Sequence, residues 1–143
     1  MQIFTIGYEG ATQADLIAAL QAAGVTLLAD VRAVPLSRRP GFSKNILAAG
    51  LREAGIDYIG LKALGTPPEG REAARKLDHA RLATIYAGQL ELPEAIFQGA
   101  QLRDLAQQRP TALLCFERQP HGCHRSLLVE AVMPDATVTH LFP

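Results

Sequence analysis

The densest chemistry in the chain lies in Cys115-Phe116-Glu117-Arg118-Gln119-Pro120-His121-Gly122-Cys123-His124-Arg125-Ser126. The apolar run Thr111 to Phe116 before it reads as a strand, and Gly122 onward, with Leu127, Leu128, Ala131 and Val132, reads as a helix stopped at Pro134. Residues two apart on a strand share a side, so Cys115 and Glu117 project together, whereas Cys123, His124 and Arg125 open the helix. A cysteine at a helix N-terminus beside cationic groups has its thiolate favoured, the setting of reactive thiols. Cys123 is therefore the candidate nucleophile. His124 is read as general base or acid, Glu117 as orienting group or second proton carrier, and Arg125 as a clamp on an anionic group. Cys115 is counted with the catalytic set, although a buried thiol on a strand equally serves as a small core hydrophobe.

A second concentration is basic. Arg32 to Arg52 holds Arg32, Arg38, Arg39, Lys44 and Arg52 and no acidic residue. Lys44 falls at a predicted helix N-terminus next to Ser43, where dipole and free backbone N–H groups hold anions. Asp30 interrupts an apolar run two residues before Arg32, so both side chains lie on one side of that strand, and a buried carboxylate there needs a partner. Tyr8, just past the first strand, joins Asp30, Arg32, Arg38, Arg39, Lys44 and Arg125 as the expected substrate-binding set. A metal is not expected. Cys115, Glu117, Cys123 and His124 are ligand types, yet no C-x-x-C or H-x-x-x-H pair exists, and Cys123 and His124 on one helix would diverge by about 100°. His79 and His140 read as surface or strand-edge residues. A phosphate-cradling C-x5-R loop is excluded by counting, since His121 and Val129 stand where the arginine would be. Nucleotide-binding glycine fingerprints are absent as well, and no cofactor is expected.

The elements that must position these residues alternate. Ile3 to Ile6, Val25 to Val31, Ile56 to Leu61, Thr111 to Phe116 and Thr137 to Phe142 read as strands. Helices follow Thr12 and Ser43 as capping residues, a broken helix spans Arg71 to Leu92, and Pro93 opens another up to Arg109-Pro110. Gly60 to Gly70, with Gly65, Thr66, Pro67 and Pro68, reads as a long loop and the most flexible segment. Strands alternating with helices imply parallel βαβ units, hence an α/β three-layer sandwich with a mostly parallel sheet of about five strands and helices on both faces. Ligands of such sheets bind outside the carboxyl ends of the strands, where Tyr8, Asp30 and Arg32, and Cys115 and Glu117 all fall.

The 143 residues are read as one domain, 1–143, large enough to fold without metal or disulfide staples. Fourteen basic and fourteen acidic side chains cancel, which excludes a generic nucleic-acid coat protein and makes any polyanion site local. Two cysteines are too few for a secreted disulfide framework, and no apolar stretch approaches 18 residues, so a cytoplasmic protein with no membrane partner is expected.

Five ordered motifs together resemble one family. Thr5-Ile-Gly-Tyr-Glu-Gly10, Asp30-Val-Arg32, Ser37-Arg-Arg-Pro-Gly-Phe-Ser-Lys44, Ile56-Asp-Tyr58 with Leu64-Gly65, and Leu114-Cys-Phe-Glu117 with Cys123-His-Arg-Ser126 look like the bacterial domain of unknown function 488 family. The resemblance covers nearly the whole chain and implies a small cytoplasmic α/β protein with a polar site built from these motifs. The chain departs from the pattern after Leu64-Gly65: a second glycine and an arginine usually follow, whereas Thr66-Pro-Pro-Glu-Gly70 intervenes, so no substrate contact is assigned to that loop. The Asp-Val-Arg after a strand is also similar to rhodanese-like domains, but their short cysteine loop ending in arginine is missing.

The leading expectation is an enzyme, a hydrolase or group transferase using Cys123, His124 and Glu117 on a small anionic or nucleotide-like substrate. One alternative is a non-catalytic module that binds a nucleotide or nucleic acid; the other is a thiol redox or sulfur-carrying protein. Oligomeric state is left open.

Overall fold

The computed structural model describes residues 1–120 and 123–143. The five expected strands form, as β1 (Gln2–Gly7), β2 (Leu27–Asp30), β3 (Asp57–Gly60), β4 (Thr111–Cys115) and β5 (Thr137–Leu141). They make one sheet in the order β3-β2-β4-β1-β5, and every pairing is parallel rather than mostly so. The helices are α1 (Gln13–Ala22), α2 (Lys44–Glu53), α3 (Pro68–Arg75), α4 (His79–Leu90), α5 (Pro93–Gln108) and α6 (Arg125–Val132). The Gly122 start expected for α6 lies outside the described residues.

The middle strands are apolar on both faces because helices cover both. Phe4, Ile6, Leu28, Ala112 and Leu114 pack with Leu16 and Leu20 of α1 and Leu47 and Leu51 of α2. Ile3, Ala29 and Leu113 alternate with them and pack on the opposite face with Tyr86 of α4, Leu102 of α5 and Leu128 of α6. Burying each such Leu or Ile contributes about 1.5–3 kcal/mol. Among the described residues no helix is long and apolar enough to cross a membrane.

Local signals explain most boundaries. Thr12 closes a capping box on α1: its hydroxyl accepts from the Asp15 N–H at 3.1 Å and the Asp15 carboxylate accepts from the Thr12 N–H at 3.3 Å. Ser43 precedes α2 but does not cap it with its side chain. Its hydroxyl instead donates to the Ser37 carbonyl and accepts from the Ser37 N–H, pinning the basic loop. The break expected between Arg71 and Leu92 is at Leu77, whose φ of 58° ends α3 before Asp78 caps α4.

The Gly60–Gly70 segment is the main revision. Instead of a free loop it forms a 3-10 turn, Lys62–Leu64, with Leu61, Leu64, Gly65 and Thr66 all buried. The Tyr86 hydroxyl donates to the Leu64 carbonyl at 2.6 Å and holds the segment to α4. Gly65 is required by contact: a Cβ there would stand 2.2 Å from the Ala33 backbone nitrogen.

Two glycine substitutions are expected to have opposite signs. Gly65→Ala must displace the chain leaving β2 and should cost at least about 2 kcal/mol. Gly88→Ala, inside α4 with nothing within 4 Å of the new methyl, should stabilise by about 1 kcal/mol. Urea unfolding of both variants measures this, and a harmless Gly65→Ala would refute the close packing.

Candidate functional site

In the strand order, β1 and β4 are neighbours whose onward connections leave in opposite directions, β1 through α1 to β2 and β4 through α6 to β5. Such a reversal opens a crevice at the carboxyl ends of the strands. Gly7 pairs with Cys115 at that point. The chain leaving β4 then folds over β1, with the Tyr8 and Glu9 N–H groups donating to the Cys115 and Phe116 carbonyls at 3.3 and 2.8 Å. Gly7 permits this crossing, since a Cβ there would lie 1.8 Å from the Glu117 carbonyl oxygen.

An open pocket of about 130 Å³ occupies the crevice. Tyr8, Arg32, Cys115, Glu117, Cys123 and His124 from the expected set line it, and Ala33, Val34, Thr66, Arg71, Ala74 and Phe116 complete the wall. The segment bearing Arg32 and the Cys-His-Arg corner therefore share one pocket.

The two thiols have different partners. Cys115 and Glu117 do project together, and the Cys115 thiol lies 2.8 Å from Glu117 Oε2, positioned to donate to it. The Cys115 thiol has one proton and a second acceptor within reach in the Cys123 sulfur. Burial pushes its pKa well up, and the negative character of Cys123 and Glu117 pushes it further against the pull of Arg125, so Cys115 stays protonated. Burial alone would raise Cys123 too, yet the hydrogen bond from Cys115 and the Arg125 charge outweigh it, and Cys123 titrates below its ordinary value. Arg125 Nε donates to Cys123 Sγ at 2.9 Å and its backbone N–H donates at 3.4 Å.

His124 is the N-cap residue of α6, with its ring against the Tyr86 ring at 5.2 Å between centroids. Nε2 lies 2.8 Å from the Val31 carbonyl. A carbonyl only accepts, so Nε2 carries the proton and Nδ1 keeps the lone pair. Burial lowers the His124 pKa against the opposing pull of that carbonyl and Glu117, which keeps the ring neutral near pH 7.

Several binding residues sit elsewhere than expected. Arg125, expected as an anion clamp, is fully buried, and its Nη2 donates to the Glu117 carbonyl. Arg32 reaches the pocket wall but is held on every side. It makes a bidentate pair with Asp30 at 2.8 and 2.7 Å, and Nη1 donates to the Phe42 carbonyl at 2.8 Å and to the Tyr8 hydroxyl at 3.3 Å. The Asp30 hydrogen bond raises the Arg32 pKa although burial opposes it. Asp30 also accepts from the Tyr58 hydroxyl at 2.5 Å, so its office is to fix Arg32 and β3. Arg39 donates to the Ala11 carbonyl, while Arg38 and Lys44 are exposed, and none of the three lines the pocket. The Lys44 N–H is itself taken by the Pro35 carbonyl at 2.9 Å.

Arg71 was missed. It stands at the pocket wall near the start of α3, with Nη1 donating to the Thr66 carbonyl at 2.9 Å and no other partner among the described residues. Its signal was the arginine that the family pattern places after a second glycine; Gly70-Arg71 supplies that pair beyond Thr66-Pro-Pro-Glu, because α3 carries it back to the crevice.

The donor geometry also corrects one inference from spacing. Cys123 precedes the N-cap rather than lying on α6, so it does not diverge from His124. The two sulfurs and a ring nitrogen of His124 lie within 4.8 Å of one another, a reach that would accommodate one soft metal ion.

The model of the domain of unknown function DUF488 matches residues 12–132. The chain belongs to this family. No curated protein and no solved structure matches it. The DUF488 match runs from the start of α1 to the end of α6 and so includes the β2 and β4 ends of the crevice.

The pKa of Cys123 is open to direct measurement. Alkylation by iodoacetamide, followed by peptide mass analysis, should rise with an inflection below the free-thiol value of about 8.5, while Cys115 stays unmodified until the chain unfolds. Arg125→Lys should move that inflection upward. An inflection at or above 8.5 in the wild type would remove the argument for a favoured thiolate.

Proposed function

We propose that this DUF488 protein is a cysteine-dependent hydrolase or group transferase acting on a small anionic, nucleotide-like substrate. The observation that carries the reading is the Cys123 sulfur at the pocket wall, 2.9 Å from the guanidinium Nε of a fully buried arginine. Charge and hydrogen bond together favour the nucleophilic form of that sulfur.

In the first step the Cys123 thiolate attacks the electrophilic centre and forms a bond from sulfur, while the leaving group departs to the open mouth and takes a proton from solvent. In the second, water attacks the covalent intermediate, gives its proton to His124 Nδ1, and releases Cys123 as thiolate. A neutral imidazole with Nε2 held by the Val31 carbonyl suits a base acting through Nδ1. Arg71 supplies the cation for the substrate, since Arg32 is committed to Asp30. Phe116, 45% exposed and edge-on to Tyr8, offers the rim a flat apolar surface for a ring such as a nucleobase. The pocket volume suits only the reacting group, so the remainder of the substrate lies across this rim.

Thymidine 5′-monophosphate p-nitrophenyl ester combines these features with an activated leaving group. Incubation should give a burst of p-nitrophenolate and a nucleotide adduct on Cys123 by mass spectrometry. Cys123→Ser should lose at least about 100-fold in rate, and Arg71→Ala should raise KM more than it lowers kcat. Equal turnover by Cys123→Ser, with no adduct in the wild type, would defeat the proposal.

A further inference from the structure

In the steps just given the second sulfur forms no bond of its own. Cys115 lines the same pocket as Cys123, with the two Sγ atoms no more than 4.8 Å apart, and its sulfur lies 2.8 Å from Glu117 Oε2. Glu117 serves neither His124 nor Cys123 by a side-chain hydrogen bond; its carboxylate is directed at the other thiol. A thiol buried merely for packing needs no carboxylate, and a half-buried carboxylate is better solvated in water than beside sulfur.

We propose that Cys115 is a resolving thiol and Glu117 its base, so that the site carries a two-electron redox activity toward small hydroperoxides. This rests on the same pocket-lining Cys123 thiolate as the proposed function. In the first step the Cys123 thiolate attacks the hydroxyl oxygen of the peroxide: an S–O bond forms, the O–O bond breaks, and the departing hydroxide or alkoxide takes a proton from solvent to leave as water or an alcohol. Cys123 is oxidised to sulfenic acid and the peroxide is reduced. In the second, Cys115 gives its proton to Glu117 and its sulfur attacks Cys123 Sγ; the S–S bond forms, the S–O bond breaks, and hydroxide leaves as water with the proton from Glu117. A small dithiol returns the pair to the reduced state by exchange.

The geometry permits closure. The sulfurs must approach from under 4.8 Å to about 2.05 Å, a movement shared between two side chains at the ends of different elements, β4 and α6. A small hydroperoxide fits the open pocket of about 130 Å³ that Cys123 borders. Arg125 stays compensated after oxidation through its bond to the Glu117 carbonyl.

Hydrogen peroxide at one equivalent, read by intact mass and by dimedone trapping, tests this. The wild type should lose about 2 Da, become unreactive to iodoacetamide, and recover both on addition of dithiothreitol. Cys115→Ser should instead retain a sulfenic acid on Cys123 that dimedone captures. Should that variant fail to fold, Glu117→Gln serves, and there the sulfenic acid should persist at least about 10-fold longer. A wild type that is alkylated rapidly at Cys123, yet gives a trappable sulfenic acid without losing two hydrogens, overturns the resolving role alone. Disulfide closure with no nucleotide adduct overturns the proposed function alone.

Discussion

A fully buried guanidinium governs the site. Arg125 is fully buried, and a buried cation must be met by acceptors or the fold loses several kcal/mol. The acceptors it finds are the Cys123 sulfur and the Glu117 carbonyl. To supply them, the start of the segment after β4 crosses β1 and sets the Glu117 carbonyl against Arg125. Gly7 is the consequence on the other side: the carbonyl that accepts from Arg125 occupies the volume a side chain at position 7 would need. The charge that stabilises the thiolate is thus the same one that fixes the turn holding it.

A second buried ion pair does the corresponding work at β2. Arg32 is fastened to Asp30, Phe42 and Tyr8, so it stiffens the crevice wall and couples the basic loop to the sheet. Its guanidinium borders the pocket with most of its donors bound to those partners, whereas the Arg71 side chain on α3 donates only to the Thr66 carbonyl among the described residues. The two arginines differ in what surrounds them, not in residue type.

That difference marks what could be read from the sequence. The five strands, their order along the chain and the parallel sheet followed from apolar runs separated by capping residues, because β1, β2 and β4 are covered on both faces and leave no room for unpaired charge. The exception, Asp30, announced itself for that reason. The meeting of Cys115, Glu117, Cys123 and His124 with Arg32 was also legible, since strand ends converge in such a sheet. Hydrogen-bond saturation was not. Nothing in Arg38, Arg39, Lys44 or Arg125 as letters says that one is buried beneath the site, one spends its donors on Ala11 and two face solvent. Gly60 to Gly70 misled for a related reason: glycine and proline mark departures from regular structure, and here the departure is a packed turn forced by Gly65 against Ala33.

Two sulfurs in one pocket would be redundant were their surroundings alike. They are opposed instead. Arg125 offers Cys123 a positive charge and N–H donors, which favour the thiolate, whereas Glu117 offers Cys115 a negative charge and an acceptor, which favour the thiol. Each preference reinforces the other, since a protonated Cys115 can donate to Cys123 and a charged Cys123 resists ionisation of Cys115. Bringing the second sulfur to reactivity therefore requires first removing the charge on the first. A covalent bond at Cys123 does this, whether to a substrate or to oxygen, and Glu117 is then the nearest base to the remaining thiol. The order in which the two thiols can act is built into their neighbours.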